Sequence, residues 1–401
     1  MRTFQLLFIM IFLVLYVLLS FGALKSLFKI SSSSKRKKVT WSILIVSALI
    51  SVGFVLLYIW PLTTRNTKDY TFHLIFNAIL SIDFVFKVPL ALSFLFGGFF
   101  NQKCKPIIYL IGLVLSLGVS GSVIYGFAVG AKSLVIKNVE LEFPNLPKNY
   151  DGLKLMQISD IHFGNFLNFE KLLLKVQRET KKINPDIILF TGDLVNNFSN
   201  ELVGWDEIFK EISRNKECFS ILGNHDYGNY TSWKSEAEKI KNFNQIVSGH
   251  ETLGFRLLNN EHVKLKSKTD SIYIVGVENW GHPPFPQYAN IEKAAAGIPK
   301  DAFKILMTHD PAHWDEVIKH MGNFGLTLSG HTHGMQWGIV RAGITFSLGY
   351  LTRHNWGGLY KFNDSYLYVN TGLGTVGIPW RINMPAEITV FTLKRVEVDR
   401  E

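Results

Sequence analysis

The sequence predicts an α/β domain that follows an apolar helical region. Four long apolar stretches precede residue 131, whereas from Leu134 onward short apolar strands alternate with helices, a pattern typical of α/β domains. The charge is divided at the same place. Residues up to 131 include 12 basic and 2 acidic side chains, and the remaining 30 basic and 30 acidic side chains cancel. We therefore expect residues 1–131 to form the helical region and residues 132–401 to form the α/β domain.

Each of the four apolar stretches is long enough to cross a membrane as a helix, which requires about 20 residues. The first is too long for the core of a cleaved signal peptide, and it lacks a small-x-small cleavage site. We therefore predict an integral membrane protein with about four transmembrane helices. The predicted spans are residues 3–24, 39–60, 72–99 and 107–130.

The distribution of basic residues predicts the orientation of these spans. The first loop carries six lysine or arginine residues and the third carries two, whereas Asp69 offsets part of the charge of the second loop. Loops rich in lysine and arginine tend to remain in the cytoplasm. Both termini and the α/β domain are then expected on the extracytoplasmic side, although Lys132, Lys137 and Lys148 weaken the contrast.

Two ionisable residues lie inside the third apolar stretch. Asp83 and Lys87 are four residues apart and so share one helix face. Such groups are costly within a membrane and often functional, which leaves a transporter or sensor open. A pair that satisfies itself and fixes helix packing is the alternative. Cys104 and Cys218 lie in different regions, so we predict no disulfide.

Beyond residue 134, the clearest α/β signal is a strand–helix–strand unit. Residues 153–161 read as a strand, residues 169–183 as an amphipathic helix, and residues 186–194 as an almost wholly apolar strand. Short apolar strands recur at 303–307 and 326–328. The sequence therefore predicts several strands whose carboxyl ends lead into polar motifs.

Five polar motifs follow these strands, in the position where open α/β sheets place their sites. They offer only oxygen and imidazole nitrogen, with no cysteine nearby, and such ligands suit divalent Mn, Fe or Zn. Single motifs of this kind occur by chance, but five in order predict a metal site. The motifs are Ser159-Asp160-Ile161-His162, Thr191-Gly192-Asp193, Gly223-Asn224-His225-Asp226, Thr308-His309-Asp310 and Gly330-His331-Thr332-His333-Gly334.

This ordered set resembles the calcineurin-like metallophosphoesterase superfamily, whose pattern is D-x-H, GD, GNH, a lone His and GHxH. The resemblance covers approximately residue 132 to the C-terminus and implies a four-layer α-β-β-α sandwich. Two further segments, His309-Asp310-Pro311 and Gly372-Leu373-Gly374-Thr375, resemble a bacterial membrane-anchored branch. That branch implies a location in the bacterial cell membrane.

The resemblance also implies roles for individual residues. It implies two divalent metal ions, one held by Asp160, His162 and His333. The other is held by Asn224, His309 and His331, and Asp193 bridges the two. His225 faces the substrate, where it protonates the leaving oxygen or stabilises phosphoryl charge. For Arg381 a contact with substrate phosphate is one reading and a structural salt bridge the other. For Asp226 and Asp310, orientation of neighbouring histidines and capping of local turns stay equally open.

These roles predict hydrolysis of phosphoester bonds by a two-metal-activated water. Two cations about 3.5–4 Å apart activate water and clamp the phosphoryl oxygens. The second and third motifs lack the Val-Asp-Arg-Gly and Glu of Ser/Thr protein phosphatases, and a neutral domain gives no expectation of nucleic-acid binding. The membrane region favours a lipid-linked or cell-envelope substrate. A small-nucleotide phosphodiesterase, or a non-catalytic membrane receptor or scaffold with a structural metal site, are the alternatives.

Overall fold

The computed structural model describes residues 2–30, 71–165, 169–281, 285–341, 344–351 and 353–396, with scattered positions between 38 and 53. The chain divides into two compact units. One contains Met1–Val129 and Gly377–Trp380, and the other contains Gly130–Val376 and Arg381–Glu401. The change from one unit to the other falls two residues before the boundary expected from composition.

The first unit contains three described helices. They are α1 (Arg2–Ile30), α2 (Thr71–Gly97) and α3 (Lys105–Ala128). Helix α2 packs against both of the others. The described positions between α1 and α2 are too scattered to define the predicted second span, which otherwise lies outside the described residues.

Two segments of the described residues are helical, long and apolar enough to cross a membrane, where the sequence predicted four spans. They are Leu74–Gly97 and Lys105–Lys132, and they correspond to the predicted third and fourth spans. The predicted first span lies within α1, which is not one of these two candidates. The described part of the chain thus supports two candidate spans of the four predicted.

The ionisable pair in the third predicted span is satisfied within the helical unit. Lys87 forms an ion pair with Asp83 and donates a hydrogen bond to the hydroxyl of Tyr16, 2.8 Å away. That hydroxyl in turn donates to Asp83. Because Asp83 and Lys87 contact each other and Tyr16 of α1, the contacts fit the packing role better than a sensing role.

The second unit contains fourteen strands among its described residues and five helices. The strands are β1 (Leu134–Phe143), β2 (Lys154–Ile158), β3 (Ile187–Phe190), β4 (Glu217–Ser220), β5 (Arg256–Leu257), β6 (Glu261–Ser267), β7 (Asp270–Gly276), β8 (Lys304–Met307), β9 (Leu326–Ser329), β10 (Gly338–Arg341), β11 (Ile344–Ser347), β12 (Gly358–Phe362), β13 (Ser365–Val369) and β14 (Ala386–Arg395). The helices are α4 (Phe169–Ile183), α5 (Asp206–Ser213), α6 (Glu236–Thr252), α7 (Ile291–Ala294) and α8 (Lys319–Met321).

Twelve of these strands form two six-stranded mixed sheets. The order is β1-β14-β2-β3-β4-β5 in the first sheet and β12-β13-β9-β8-β7-β6 in the second. Strands β2 to β5 run parallel, as do β13, β9, β8 and β7. Parallel neighbours align their carboxyl ends along one edge of a sheet. The mixed α/β topology predicted from the sequence is therefore confirmed.

Clusters of buried apolar side chains show how the layers of this unit are arranged. Leu155 and Leu189 of the first sheet share a buried cluster with Ile274 and Leu328 of the second, so the two sheets face each other. The outer face of the first sheet packs on α4 and α5, and that of the second packs on α7 and the turn Trp314–Ile318. The layers thus run helix, sheet, sheet, helix, as in the expected sandwich.

A buried histidine gives this fold a predicted acid sensitivity. His250 in α6 is fully buried against Phe190, and neither ring nitrogen has a hydrogen-bond partner among the described residues. Burial lowers the pKa of His250 to about 3. In the unfolded chain the pKa of His250 is about 6.5. Between these two pKa values the unfolded chain therefore binds a proton at His250 and the folded domain does not.

We expect the free energy of unfolding of the α/β unit to fall as pH decreases from about 6.5 toward about 3. At pH 5 the loss due to His250 is about 2 kcal/mol, and His250→Leu should remove it. Denaturant unfolding at pH 7 and pH 5 measures the difference, with the exposed His320→Leu as the matched control. An unchanged acid dependence in His250→Leu would contradict the assignment.

Candidate metal centre

The five polar motifs begin where strands of both sheets end. Asp160, Asp193 and Asn224 follow β2, β3 and β4 of the first sheet, whereas His309 and His331 follow β8 and β9 of the second. Because the two sheets face each other, these strand ends can contribute to one site. The placement of the motifs at carboxyl ends of strands, predicted from the sequence, is confirmed.

Five of the seven predicted ligands have a backbone conformation that non-glycine residues rarely adopt. Their φ angles are positive, and such strain concentrates at functional sites. In the first motif two such residues face one cluster, whereas in the last motif the two histidines face different clusters. The φ angles are 52° for Asp160, 49° for His162, 59° for Asp193, 74° for His331 and 50° for His333.

The first cluster joins Asp160, His162 and His333, whose potential ligand atoms lie within 4.8 Å of one another. The Nε2 atoms of the two histidines are 3.1 Å apart. Oδ1 of Asp160 lies 3.4 Å from Nε2 of His333. All three side chains are buried, so these polar atoms face one another rather than water.

The second cluster joins His309, His331 and Asn224. The amide oxygen Oδ1 of Asn224 lies 3.0 Å from Nε2 of His309 and 2.8 Å from Nδ1 of His331. The two histidine nitrogens are 3.3 Å apart. The three atoms therefore form a small triangle of one oxygen and two nitrogens.

Asp193 links the two clusters through a single oxygen. Its Oδ2 lies 3.4 Å from Nε2 of His162 in the first cluster and 3.3 Å from Nε2 of His309 in the second. A carboxylate with one oxygen against both clusters has the position that a bridging ligand requires. The structure thus brings together all seven residues predicted as metal ligands.

The geometry of both clusters fits divalent cations. Ligand atoms about 2.1 Å from one ion and at right angles to each other lie about 3.0 Å apart. The separations of 2.8 to 3.4 Å within the clusters are close to that value. The donor set of imidazole nitrogen, carboxylate and amide oxygen suits Mn, Fe or Zn.

When no metal ion is bound, the positive charge beside Asp193 comes from protonated histidine. Burial opposes the charge of Asp193, but His309 and His225 beside it hold its pKa well below the ordinary value. Burial likewise opposes protonation of His309, yet Asp193 raises the pKa of His309 to about 10. A buried carboxylate is stabilised by a positive charge beside it. A metal ion bound in the same place would supply that charge instead of a proton.

Two glycines allow the second and third motifs to approach each other. A Cβ on Gly192, which has a φ of 94°, would lie 2.9 Å from Nδ1 of His309. A Cβ on Gly223 would lie 2.2 Å from Oδ1 of Asp193. Any larger residue at either position would displace a predicted ligand.

Asp226 fixes the backbone of these two motifs instead of contacting a histidine. Its carboxylate accepts hydrogen bonds from the backbone N–H groups of Asp193, Leu194, Val195 and Gly223, over 2.8 to 3.1 Å. Burial, with Asp193 nearby, raises the pKa of Asp226 to about 7. Of the two roles open from the sequence, these contacts support turn capping.

His225, the predicted catalytic residue, is oriented from three sides. Its Nδ1 lies 2.9 Å from the carbonyl oxygen of Asn196 and therefore donates to it. Its ring stacks on Tyr230 at 4.3 Å between centroids and meets the edge of His162 at 4.8 Å. Burial lowers the pKa of His225 to about 4, so the neutral ring presents Nε2 as a lone pair.

Tyr230 is a functional residue that sequence reasoning missed. Besides stacking on His225, its hydroxyl accepts a hydrogen bond of 2.8 Å from Nδ2 of Asn224. That bond directs Oδ1 of Asn224 toward His309 and His331. No motif marks Tyr230, and only its spacing of five residues from His225 could have suggested it.

Glu201, also missed, holds the loop that orients His225. Its buried carboxylate accepts from the backbone N–H groups of Asn196, Asn197 and Phe198 at 2.7 to 3.0 Å, and from that of Gly164 at 3.0 Å. These bonds fix the carbonyl of Asn196 against His225. A lone glutamate in a polar loop carries no sequence signal for this role.

Arg381, the predicted substrate-binding residue, lies buried beside the first cluster. It is fully buried, and its guanidinium donates to the backbone carbonyls of Thr371, Gly372, Gly374 and Met384. One of its Nη atoms also lies 3.3 Å from Nδ1 of His333, a predicted metal ligand, and the contact with substrate phosphate stays a prediction. The alternative structural salt bridge is not its main contact among the described residues, because most of its donors bind backbone carbonyl oxygens.

Arg353 is the basic residue that the structure places at the edge of the second cluster. Its guanidinium binds both carboxylate oxygens of Asp310, and its side chain is 26% exposed. Oδ2 of Asp310 lies 3.9 Å from Nε2 of His331. Burial alone would raise the pKa of Asp310, but His331 and Arg353 lower it.

Comparison with known proteins agrees with this geometry. Residues 153–335 match the family model described as calcineurin-like phosphoesterase. The matched segment contains all seven clustered residues and His225.

Proteins similar to this chain occur in both a vertebrate and bacteria. A protein of Danio rerio named transmembrane protein with metallophosphoesterase domain is 28% identical over 282 residues, which is 68% of this chain and 60% of the relative. The uncharacterized metallophosphoesterase YkuE of Bacillus subtilis is 29% identical over 67% of this chain and 90% of its own length. The UDP-2,3-diacylglucosamine pyrophosphatase LpxG of Chlamydia trachomatis is 29% identical over 57% of this chain and 81% of its own.

Proposed function

From the premise that this chain contains a calcineurin-like phosphoesterase domain and is a hydrolase of phosphoester bonds, we propose that it acts on a lipid-linked or cell-envelope phosphoester. We further propose two divalent ions, Mn, Fe or Zn, as its cofactors. Asp160, His162 and His333 bind one ion, Asn224, His309 and His331 bind the other, and Asp193 bridges them.

The observation that carries this proposal is the position of Asp193. One oxygen of its carboxylate lies within 3.4 Å of a histidine nitrogen from each cluster. A bridging carboxylate is what a two-metal hydrolytic site requires, whereas a single structural ion would need only one cluster. The second feature in support is His225, held beside both clusters without belonging to either.

We assign different roles at this site to the metal ligands and to His225. A bound pair of divalent ions supplies Lewis-acid polarisation of the phosphoryl group and activation of water. Asp193 contacts histidines of both clusters, and Asn224 contacts both histidines of the second cluster, so these two residues fix the distances between the histidines. His225 directs Nε2 toward the substrate, because its Nδ1 proton is committed to the carbonyl of Asn196.

Two features support the lipid-linked part of the substrate proposal. The Chlamydia relative is named for a substrate with two acyl groups, and this chain contains two candidate membrane spans. A membrane-attached hydrolase meets amphiphilic phosphoesters at high local concentration. A soluble small nucleotide gives no reason for such an anchor.

We propose that the chain resides in the bacterial cell membrane with four spans and its catalytic domain on the extracytoplasmic side. The basic loops after the first and third predicted spans support this orientation. Alkaline phosphatase fused after Glu401 should be active in cells. A fluorescent protein that matures only in the cytoplasm, fused at the same position, should show no fluorescence. The reverse pattern would reject the orientation.

The test of the function uses the full-length protein in detergent, loaded with Mn²⁺ and supplied with bis-p-nitrophenyl phosphate. We expect turnover that a chelator abolishes and Mn²⁺ restores. Phospholipid in mixed micelles and a soluble cyclic dinucleotide are then compared at equal concentration. Faster turnover of the micellar substrate is expected.

Each other outcome has a defined meaning. Preference for the cyclic dinucleotide would favour the small-nucleotide phosphodiesterase. Two bound metals per chain without turnover of any substrate would favour the receptor or scaffold with a structural site. Absence of metal binding would reject the proposal as a whole.

Tyr230→Phe should weaken the second metal site without unfolding the domain. Loss of the hydroxyl frees the amide of Asn224 to rotate, and removal of such a supporting hydrogen bond costs about 10–100-fold in metal affinity or activity. Metal titration and kcat/KM measure the effect. Tyr288→Phe, which also removes one hydroxyl from a partly exposed tyrosine, is the control, and equal values for both variants would contradict the role.

Arg353→Met should raise KM more than it lowers kcat if Arg353, which binds Asp310 beside His331, contacts the substrate phosphate. A hydrogen bond to a charged group contributes about 1.5–3 kcal/mol, which corresponds to about 10–100-fold in KM. Arg256→Met removes an exposed arginine paired with Glu261 and serves as the control. An unchanged KM would exclude Arg353 from substrate binding.

A further inference from the structure

An exposed apolar surface lies next to the last ligand motif. We call it the apolar surface, and it includes strands β10 and β11 and the turn that follows them. Contiguous exposed apolar patches mark interaction sites in soluble domains. The exposed fractions are 47% for Met335, 50% for Ile339, 42% for Phe346, 42% for Leu348, 51% for Tyr350 and 75% for Leu351.

The backbone of this hairpin displays these side chains together. Ile339 and Phe346 are paired across β10 and β11, so they lie on one face of a two-stranded sheet that is separate from both large sheets. The hydroxyl of Ser347 donates to the carbonyl of Gly334, 2.5 Å away. Backbone and hydroxyl hydrogen bonds thus anchor the hairpin one residue from His333, and the apolar side chains remain exposed.

The segment that carries the apolar surface contains basic residues and no acidic residue, although Lys319 pairs with Asp315 and Arg353 with Asp310 from outside it. Between Glu316 and Asp364 the sequence contains four basic residues and no acidic residue. The basic residues are Lys319, Arg341, Arg353 and Lys361. Apolar side chains accompanied by lysine and arginine are the composition that binds an anionic lipid surface.

The chain also keeps this unit near a membrane if the candidate spans are inserted. The second candidate span ends at Lys132, and β1 begins at Leu134. Only Ser133 lies between them in the sequence. A domain attached so closely reaches lipid without a separate recruitment step.

We propose that the apolar surface inserts into the anionic lipid surface of the membrane that holds the chain. This inference rests on the membrane attachment in the proposed function. Insertion places the turn of His331 and His333 at the level of lipid head groups. A lipid-linked phosphoester then reaches the metal centre without leaving the bilayer.

The test measures lipid contact at single positions in the full chain. Cys104→Ser and Cys218→Ala remove both native thiols, and Phe346→Cys, Leu351→Cys or Ile339→Cys then carries an NBD fluorophore. The protein is reconstituted in an equal mixture of phosphatidylcholine and phosphatidylglycerol, with or without a doxyl group near the glycerol end of the acyl chain. Val203→Cys, a 79% exposed apolar position far along the chain from the apolar surface, is the matched control.

We expect a blue shift and loss of most of the NBD emission in doxyl lipid at the three hairpin positions, and neither change at Val203. Emission that doxyl lipid leaves unchanged at all three positions would overturn the proposal. A blue shift without doxyl quenching would also overturn it and would identify a second protein copy as the occupant. Because the readout needs no turnover, failure here is distinct from failure of the proposed hydrolase function, which the Mn²⁺ assay tests.

Discussion

Asp193→Asn is expected to lower kcat/KM toward bis-p-nitrophenyl phosphate by at least about 10³-fold, because it removes the carboxylate that bridges the two clusters. Two-metal clamping of the phosphoryl group is worth several kcal/mol, and each ~1.4 kcal/mol is tenfold in rate. The amide is nearly isosteric but neutral. The loss should therefore appear in metal content, measured by elemental analysis, as well as in turnover.

Asp364→Asn is the matched control, since Asp364 is an exposed aspartate of the same unit. It should retain both metals and full activity. If Asp193→Asn kept two metals per chain and a normal kcat/KM, the bridging role would be wrong. If metal content fell to one ion per chain with activity intact, a single-metal mechanism would replace the proposed one.

His225→Ala is expected to keep both metals and lose about 10²–10⁴-fold in kcat, the range for a positioned acid or base. His225 contacts His162 and Tyr230 by its ring but belongs to neither ligand cluster. Metal content should therefore stay at the wild-type value. The exposed His320→Ala is the control and should change neither quantity.

The choice of leaving group separates two roles for His225. Protonation of the leaving oxygen matters little for p-nitrophenolate but greatly for an alkyl alcohol, so His225→Ala should then lose far more activity on an alkyl phosphoester. Stabilisation of phosphoryl charge would reduce both rates equally. A rate unaffected with either substrate would exclude His225 from the chemistry.

The neutral form of His225 in the metal-free site bears on this choice. Burial holds its pKa at about 4, and its Nδ1 proton is used by Asn196. Donation from Nε2 therefore requires a second proton, which a bound anionic phosphoester would favour. The kcat of the alkyl substrate should then fall as pH rises above the pKa of the complex, whereas the p-nitrophenyl rate should depend less on pH.

The clustered residues were predictable because each lies in a short motif at the end of a strand. Asp160 and His162 stand two residues apart directly after β2, so local sequence contains the pattern, although both have a positive φ and not an extended conformation. The assignment of His331 and His333 to different clusters came from the family resemblance. The spacing could not show it, because Asp160 and His162 have the same spacing, and also a positive φ at both residues, yet face one cluster.

Other parts of the site were not predictable from local sequence. For Arg381 the sequence left a contact with substrate phosphate and a structural salt bridge open, whereas in the structure backbone carbonyls from both sides of it along the chain bind its guanidinium. Tyr230 and Glu201 act through contacts that exist only once their loops fold over the third motif. A side chain whose partners come from other segments leaves no periodic signal in its own segment.

The sequence alone determined the division of charge and hydropathy between two regions, the order of the five motifs, and the oxygen and nitrogen donors they offer. These properties depend on residue type and spacing. Only the tertiary structure decided which donors meet and that Asp193 contacts both clusters. It also decided that Arg353 binds Asp310 beside the second cluster, that Arg381 is buried against His333, and that an apolar hairpin is exposed beside the site. These outcomes depend on distances between segments, which are set when two sheets pack face to face around one buried core.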